Sequence, residues 1–175
     1  MKKVFLSVLL GAFALNSMAQ ADTAQVASDS IEGFRFTTVD SIAITPVKDQ
    51  NRSGTCWSYS TIGFLESELL RMGKGEYDLS EMFIVRQKYM NQLQDNYIRR
   101  GKGTLGQGSI TNAWKNAFNE VGIVPEEAYD GINYDSDKHN HRELNQYLRA
   151  TADVAIKTKH RSPEYYKLIN NLFDT

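Results

Sequence analysis

The sequence has one cysteine, Cys56, among 175 residues, so no disulfide can form within it. Three prolines and 12 glycines are too few for a fibrous or low-complexity chain. There is no charge excess either: 20 Lys and Arg face 21 Asp and Glu, a formal net charge of -1. That balance argues against a nucleic-acid or membrane-surface binder, whose footprint is a basic excess. No apolar run approaches the roughly 20 residues that a bilayer span requires. What is present is ordinary: 41% hydrophobic and 23% charged residues, which excludes wholesale disorder and points to a globular chain.

Lys2 and Lys3 precede an apolar stretch from Val4 to Leu15, followed by the small residues of Ser17-Met18-Ala19. Positive, apolar and small-residue regions in that order read as a secretory signal peptide over 1–19, with no lipid-anchor cysteine after it. Its removal takes away two lysines and leaves 18 basic and 21 acidic residues. The expected location is secreted or periplasmic, without a membrane anchor. A lone cysteine in an oxidising compartment is either inert and buried or kept for its chemistry. Residues 20–32 read as a flexible lead-in, and 33–175 as one mainly helical domain with no internal repeats.

From Cys56 onward the apolar spacing is helical. Trp57, Tyr59, Ile62, Phe64, Leu65, Leu69 and Leu70 cover most of a cylinder, predicting a buried central helix. Gly63 inside it costs about 1 kcal/mol against Ala, which close packing would explain. Ser80 is placed to cap a second helix with the stripe Met82, Val85, Tyr89, Leu93 and Tyr97, ending at Gly101. A glycine-rich loop follows, and Ser109 is placed to cap a third helix ending at Gly122. Two more are predicted, from about Arg142 to Lys157 and from Pro163 onward. Gly33 to Ile44 alternates loosely and predicts short extended segments.

Cys56 starts the first of these helices, and Gln50 lies six residues before it. A helix N-terminus carries about half a positive charge, which favours thiolate over thiol. Its first N–H groups lack intrahelical acceptors and can hold an oxyanion, with a Gln amide as a further donor. A nucleophile beside two donors is what acyl transfer needs.

The run Gln50-x5-Cys56-Trp57-Ser58-Tyr59-Ser60 resembles the papain-type cysteine peptidases, and Ser53-Gly54-Thr55-Cys56-Trp57 is similar to that family's signature around its cysteine. Ser53 stands where the family has a disulfide-forming cysteine, which looks more like the bleomycin hydrolase/aminopeptidase branch than the cathepsins. Asp78-Leu79-Ser80-Glu81, Gln107-Gly108-Ser109 and Gly122-Ile123-Val124-Pro125-Glu126-Glu127-Ala128-Tyr129 resemble further family segments, in the family's order. The resemblance implies an α+β fold, of which this chain is the mainly helical left lobe, without the β-rich second lobe. It implies Cys56 as nucleophile, Gln50 as oxyanion donor, and Gly54, Trp57, Gln107 and Gly108 as substrate-binding residues. Gly108 would pair its backbone with an extended peptide. Gln107 stands where the family usually has Gly. The implied partner is a peptide or protein substrate, with aminopeptidase-like trimming suggested by the branch, and with no cofactor, metal or nucleic acid.

The family's histidine and asparagine fall roughly 130–150 residues beyond the cysteine, past the end of this sequence. His139, His141 and His160 do not stand in that context; all three read as solvated surface. The expectation is an N-terminal fragment of a peptidase, with little activity of its own. The alternatives are an inactive truncated paralogue serving as a binding or inhibitory module, and thiol-based transfer to an amine on a similar scaffold.

Overall fold

The computed structural model describes residues 33–132 and 136–174. The expected signal peptide over 1–19 and lead-in over 20–32 lie outside the described residues. The chain divides into a unit ending at Val39 and a unit from Asp40 onward. In the first, residues 33–39 form no regular element, and Phe34 and Phe36 are exposed, their ring centroids 6.5 Å apart. The expected extended segments over Gly33 to Ile44 form no strand.

Among the described residues the second unit holds five helices: α1 (Cys56–Arg71), α2 (Glu81–Ile98), α3 (Thr111–Val121), α4 (His141–Thr158) and α5 (Pro163–Asp174). A single 3-10 turn, Glu126–Ala128, precedes α4. Among the described residues the only β pairing is two isolated bridges, Arg52 with Asn140 and Leu79 with Pro125.

The centre is α2, which packs against α1, α3 and α4, while α5 packs on α4. Its buried face carries Met82, Ile84, Val85, Tyr89 and Leu93. This corrects the expectation that α1 is the central helix. Trp57 and Ile62 of α1 are buried, but Phe64 is 63% exposed, and Glu66 is buried on the inner face. Packing does not explain Gly63 either, since a Cβ there would meet nothing within 4 Å.

Local chemistry sets the helix ends. Ser80 caps α2, its hydroxyl accepting from Phe83 N–H at 3.0 Å and donating to the Tyr129 carbonyl. At the end of α1, Lys74 N–H reaches the Leu69 carbonyl and Gly73 N–H the Leu70 carbonyl, both at 2.9 Å. That double closure is the Schellman arrangement, with Gly73 at φ 67°. α2 closes the same way, but with Arg100 at φ 55° in the left-handed position, one residue before the expected Gly101. Ser109 does not cap α3. The helix starts at Thr111 behind Ile110, with no side-chain cap.

Two straps tie the loops to this core. Ser80 N–H bonds the Val124 carbonyl at 3.0 Å, and Glu126 N–H bonds the Asp78 carbonyl at 2.9 Å. Residues 139–141 lie along Arg52: its N–H bonds the His139 carbonyl at 3.0 Å, and His141 N–H bonds its carbonyl at 3.4 Å. The second strap ends at Arg52, in the segment that delivers Cys56.

Candidate active site around Cys56

The segment from Lys48 to Thr55 is folded back on itself by its own polar groups. Asp49 Oδ1 accepts from Asn51 N–H at 2.7 Å, and Asn51 takes the left-handed conformation at φ 51°. Such a residue favours that region because its short polar side chain bonds locally. Ser53 then turns inward and is buried. Its hydroxyl donates to the Gln50 carbonyl at 2.7 Å and lies 2.5 Å from Thr55 Oγ1. Where the family resemblance expects a half-cystine, a hydroxyl fixes the Gln50 backbone instead.

Thr55, fully buried, is the N-cap residue of α1, its carbonyl accepting from Ser58 N–H at 2.8 Å. Cys56 is the first helical residue and is exposed. Its N–H and that of Trp57 sit in the first turn, where no intrahelical acceptor exists. The Gln50 side chain makes no hydrogen bond among the described residues, and its Oε1 is buried without a partner. An amide so placed is free to turn a donor toward a ligand.

The opposite wall is the loop from Gly101 to Gly108. Gln107 holds it to the cysteine segment twice: its Oε1 accepts from Gly54 N–H at 2.6 Å, and its carbonyl accepts from Trp57 Nε1 at 3.1 Å. A Cβ on Gly54 would stand 3.0 Å from Gln107 Cβ, so glycine allows this approach. A Cβ on Gly103 would come within 2.6 Å of the Asn96 Cα, which makes glycine necessary where the loop crosses α2. Gln92 accepts from Gly106 N–H at 3.1 Å, and Arg149 donates to the Leu105 carbonyl. Gly108 is exposed, with nothing within 4 Å of where a Cβ would be. The structure therefore links Gly54, Trp57 and Gln107 directly, with Cys56 and Gly108 adjacent to them in the chain and Gln50 bonded through Ser53.

Two groups that sequence reasoning missed support this arrangement. The first is a cluster of acids around Lys48. Its ammonium lies 2.6 Å from Asp78, 2.9 Å from Glu81 and 3.7 Å from Glu126, and donates to the Leu79 carbonyl at 3.2 Å. Burial alone would lower the Lys48 pKa, but hydrogen bonds to Asp78 and Glu81 win and hold it above the ordinary lysine range. Nearby, buried Glu66 accepts from Thr45 Oγ1 at 2.6 Å and from Leu79 N–H at 2.8 Å. Together they tie the chain before Gln50 to α1 and to the start of α2.

One ammonium cannot neutralise this many acids. Burial raises the Glu81 carboxyl despite Lys48. Burial also pushes Glu126 up to about 7; Lys48 opposes this, and Glu81, Asp78 and Asp130 add to it. Between the ordinary value of 4.5 and about 7 the folded chain holds more protons at Glu126 than the unfolded chain. Stability from this group therefore falls as pH rises through that window, and the penalty is complete above it. Glu126→Gln is expected to stabilise the protein at pH 8, on the order of 2 kcal/mol, and to change little at pH 4. Urea midpoints at the two pH values check this, and equal effects at both would contradict it.

The second group is Lys88. It is 3% exposed, on the apolar face of α2 beside Tyr89. The sequence signal was available: position 88 lies three residues after Val85, on the same helical face. Its ammonium bonds the Gly106 carbonyl and, at 3.0 Å, the Gln107 carbonyl.

His139 and His141 correct the surface expectation, since both are 5% exposed. Their rings meet edge to face at 6.1 Å, and His141 lies 6.2 Å from Tyr89. Both Nδ1 atoms are buried without a partner. Burial, with His139 and Lys88 nearby, lowers His141 to about 4, and burial lowers His139, so both rings are neutral at neutral pH. Their aromatic neighbours are each other and, for His141, Tyr89. They serve the strap against Arg52. His160 is exposed, as expected. Among the described residues no group of three or more His, Cys, Asp or Glu side chains could hold a metal.

A mainly helical lobe with a cysteine opening one helix, walled by a glycine loop pinned to α2, is the helical left lobe of the papain-like fold. The model of the papain family of cysteine proteases matches residues 34–172, and the chain belongs to that family. It is similar to cathepsin K of Gallus gallus, 34% identical over 92 residues, covering 53% of this chain and 24% of that protein. It is also similar to a probable cysteine protease, RD19C, of Arabidopsis thaliana, 35% identical over 88 residues, covering 50% and 23%. Falcipain-3 of Plasmodium falciparum is 27% identical over 113 residues, covering 65% and 21%. The chain thus spans about a quarter of the length of the curated relatives it matches.

Proposed function

We propose that this chain carries the nucleophile of a papain-type cysteine peptidase acting on peptides or proteins. The observation that supports it most is Cys56, exposed at the first turn of α1, beside a loop tied to its own segment by the two Gln107 bonds. In this reading the Cys56 thiolate attacks a peptide carbonyl, and the oxygen that gains charge is held by the Cys56 N–H and the unengaged Gln50 amide. The amine leaves with a proton, and water then hydrolyses the thioester. Gly54, Trp57, Gln107 and Gly108 form the wall on which the peptide lies extended.

His139, His141 and His160 do not stand in the family's sequence context for the base. That role falls, in this proposal, to a histidine outside the described residues, oriented by an asparagine. Residues 33–175 then act as the helical lobe of the catalytic domain. A secreted or periplasmic location follows from reading 1–19 as a signal peptide. The aminopeptidase-like branch is favoured by Ser53 in place of a half-cystine and by Cys56 being the chain's only cysteine. Among the described residues no helix is long and apolar enough to cross a membrane.

The test is hydrolysis of fluorogenic peptides by the native gene product, with its intact mass recorded on the same sample. Cleavage that falls at least about a thousand-fold in Cys56→Ser supports the proposal. Cleavage unchanged in Cys56→Ser, or none in the native product, would overturn it.

A further inference from the structure

Lys88 has a buried ammonium without an ion-pair partner among the described residues, an arrangement that costs the fold stability. Folding lowers its pKa from 10.5 to about 8, and burial is the cause. The groups facing it are few. Its own helix supplies Tyr89, whose ring centroid is 4.9 Å from the ammonium. α1 supplies the neutral Trp57 ring, 5.7 Å away. From α4 come His141, close enough to feel its charge, and Arg149, which acts on Tyr89 and bonds the Leu105 carbonyl. The loop supplies only carbonyls, those of Gly106 and Gln107.

The Gln107 carbonyl belongs to the same peptide unit as the Gly108 N–H. That carbonyl already accepts from Trp57 Nε1, and the ammonium adds a charge-assisted bond. Two donors on one carbonyl fix the plane of the peptide and draw electron density from its nitrogen, making the Gly108 N–H a stronger donor. Gly108 is exposed, and among the described residues its N–H makes no backbone hydrogen bond, so this donor is available to a ligand.

We propose that Lys88 is a positioning residue for peptide binding. Its ammonium locks and polarises the Gln107–Gly108 peptide unit so that Gly108 pairs with an extended peptide beside Cys56, and the pairing weakens when Lys88 loses its proton. The inference rests on the peptidase reading only for the identity of the ligand.

The charge carries opposite consequences for fold and site. Between pH 8 and 10.5 the unfolded chain binds more protons at Lys88 than the folded chain, so stability from this group rises with pH. Peptide binding falls over the same range. In that range His141 stays neutral, while burial holds Tyr89 above the ordinary tyrosine value. A purely structural lysine would not separate the two trends.

Two measurements test this. In Cys56→Ser, which removes the thiol, the Gly108 amide resonance is expected to titrate with a midpoint about 8, and Lys88→Met to abolish that step. A Gly108 resonance that does not move from pH 7 to 9 overturns the proposal, even where Lys88→Met fails to fold. The second compares alkylation of Cys56 by iodoacetamide with its labelling by a peptidyl vinyl sulfone. Lys88→Met is expected to slow the peptidyl reagent about ten-fold and iodoacetamide less than about two-fold, with Lys88→Arg restoring part of the difference. Equal effects on both reagents overturn the role in peptide binding and leave the peptidase reading standing. If the peptidyl reagent does not label native Cys56 at all, the peptidase reading fails, and the peptide-binding role of Lys88 fails with it.

Discussion

Replacing Lys48 with methionine is expected to cost the fold about 3–5 kcal/mol, the range for removing one member of a buried charge cluster. The reason is what remains. Glu81 is 3% exposed, and its charge is balanced by this ammonium at 2.9 Å. Asp78 and Glu126 share the same cation. Without it, a buried carboxylate must either stay unpaired or take up a proton. Urea unfolding of the variant measures the loss, and a double-mutant cycle with Glu81→Gln separates the charge from the packing. The loss is expected to shrink in the Glu81→Gln background and to persist at pH 9. The Lys48 folded pKa lies above the ordinary lysine value, so its stabilisation is present below 10.5 and lost only as pH rises beyond it. A cost below about 1 kcal/mol would show that the cluster is loosely solvated rather than a tie.

The second large effect concerns Gln50. Gln50→Ala in the native gene product is expected to lower kcat for peptide hydrolysis by about 10²–10³, with KM changed little. An oxyanion donor acts on charge that develops in the transition state, so its loss appears in turnover rather than in ground-state binding. The side chain has no hydrogen bond to lose among the described residues, while its backbone is held by Ser53, so the substitution should leave the loop in place. Steady-state kinetics decide it. A rise in KM at constant kcat would make Gln50 a binding residue instead.

Helix periodicity and capping carried most of the architecture in the sequence. Ser80, the stripe from Met82 to Leu93 and the glycine closing α1 lie where their spacing and chemistry put them. What spacing could not show was which apolar positions have neighbours. Phe64 sits on a helix that is apolar nearly all round; among the described residues α2 and α3 are the helices that pack most against it, and Phe64 stays exposed. Polar residues on the inner faces were hidden for the opposite reason. Glu66, Glu81, Lys88, His139 and His141 read as surface by type, but each is held or enclosed by groups distant in sequence, the two histidines by Arg52 and Tyr89. Gly63 remains a helix-interior glycine without a packing explanation.

The candidate site was legible to a different degree. The chemistry of a cysteine at a helix start, with a glutamine upstream, follows from local sequence. The two Gln107 bonds come from a loop about 50 residues away and the Lys88 clamp from α2, and only the fold brings them together.

The most direct test of the central claim is to treat the native product with a peptidyl epoxide and map the modified peptide by mass spectrometry. The account predicts one adduct, on Cys56, blocked by prior substrate and lost in Cys56→Ser. Cys56 left unmodified while peptide cleavage continues, or an adduct only on another side chain, would contradict it.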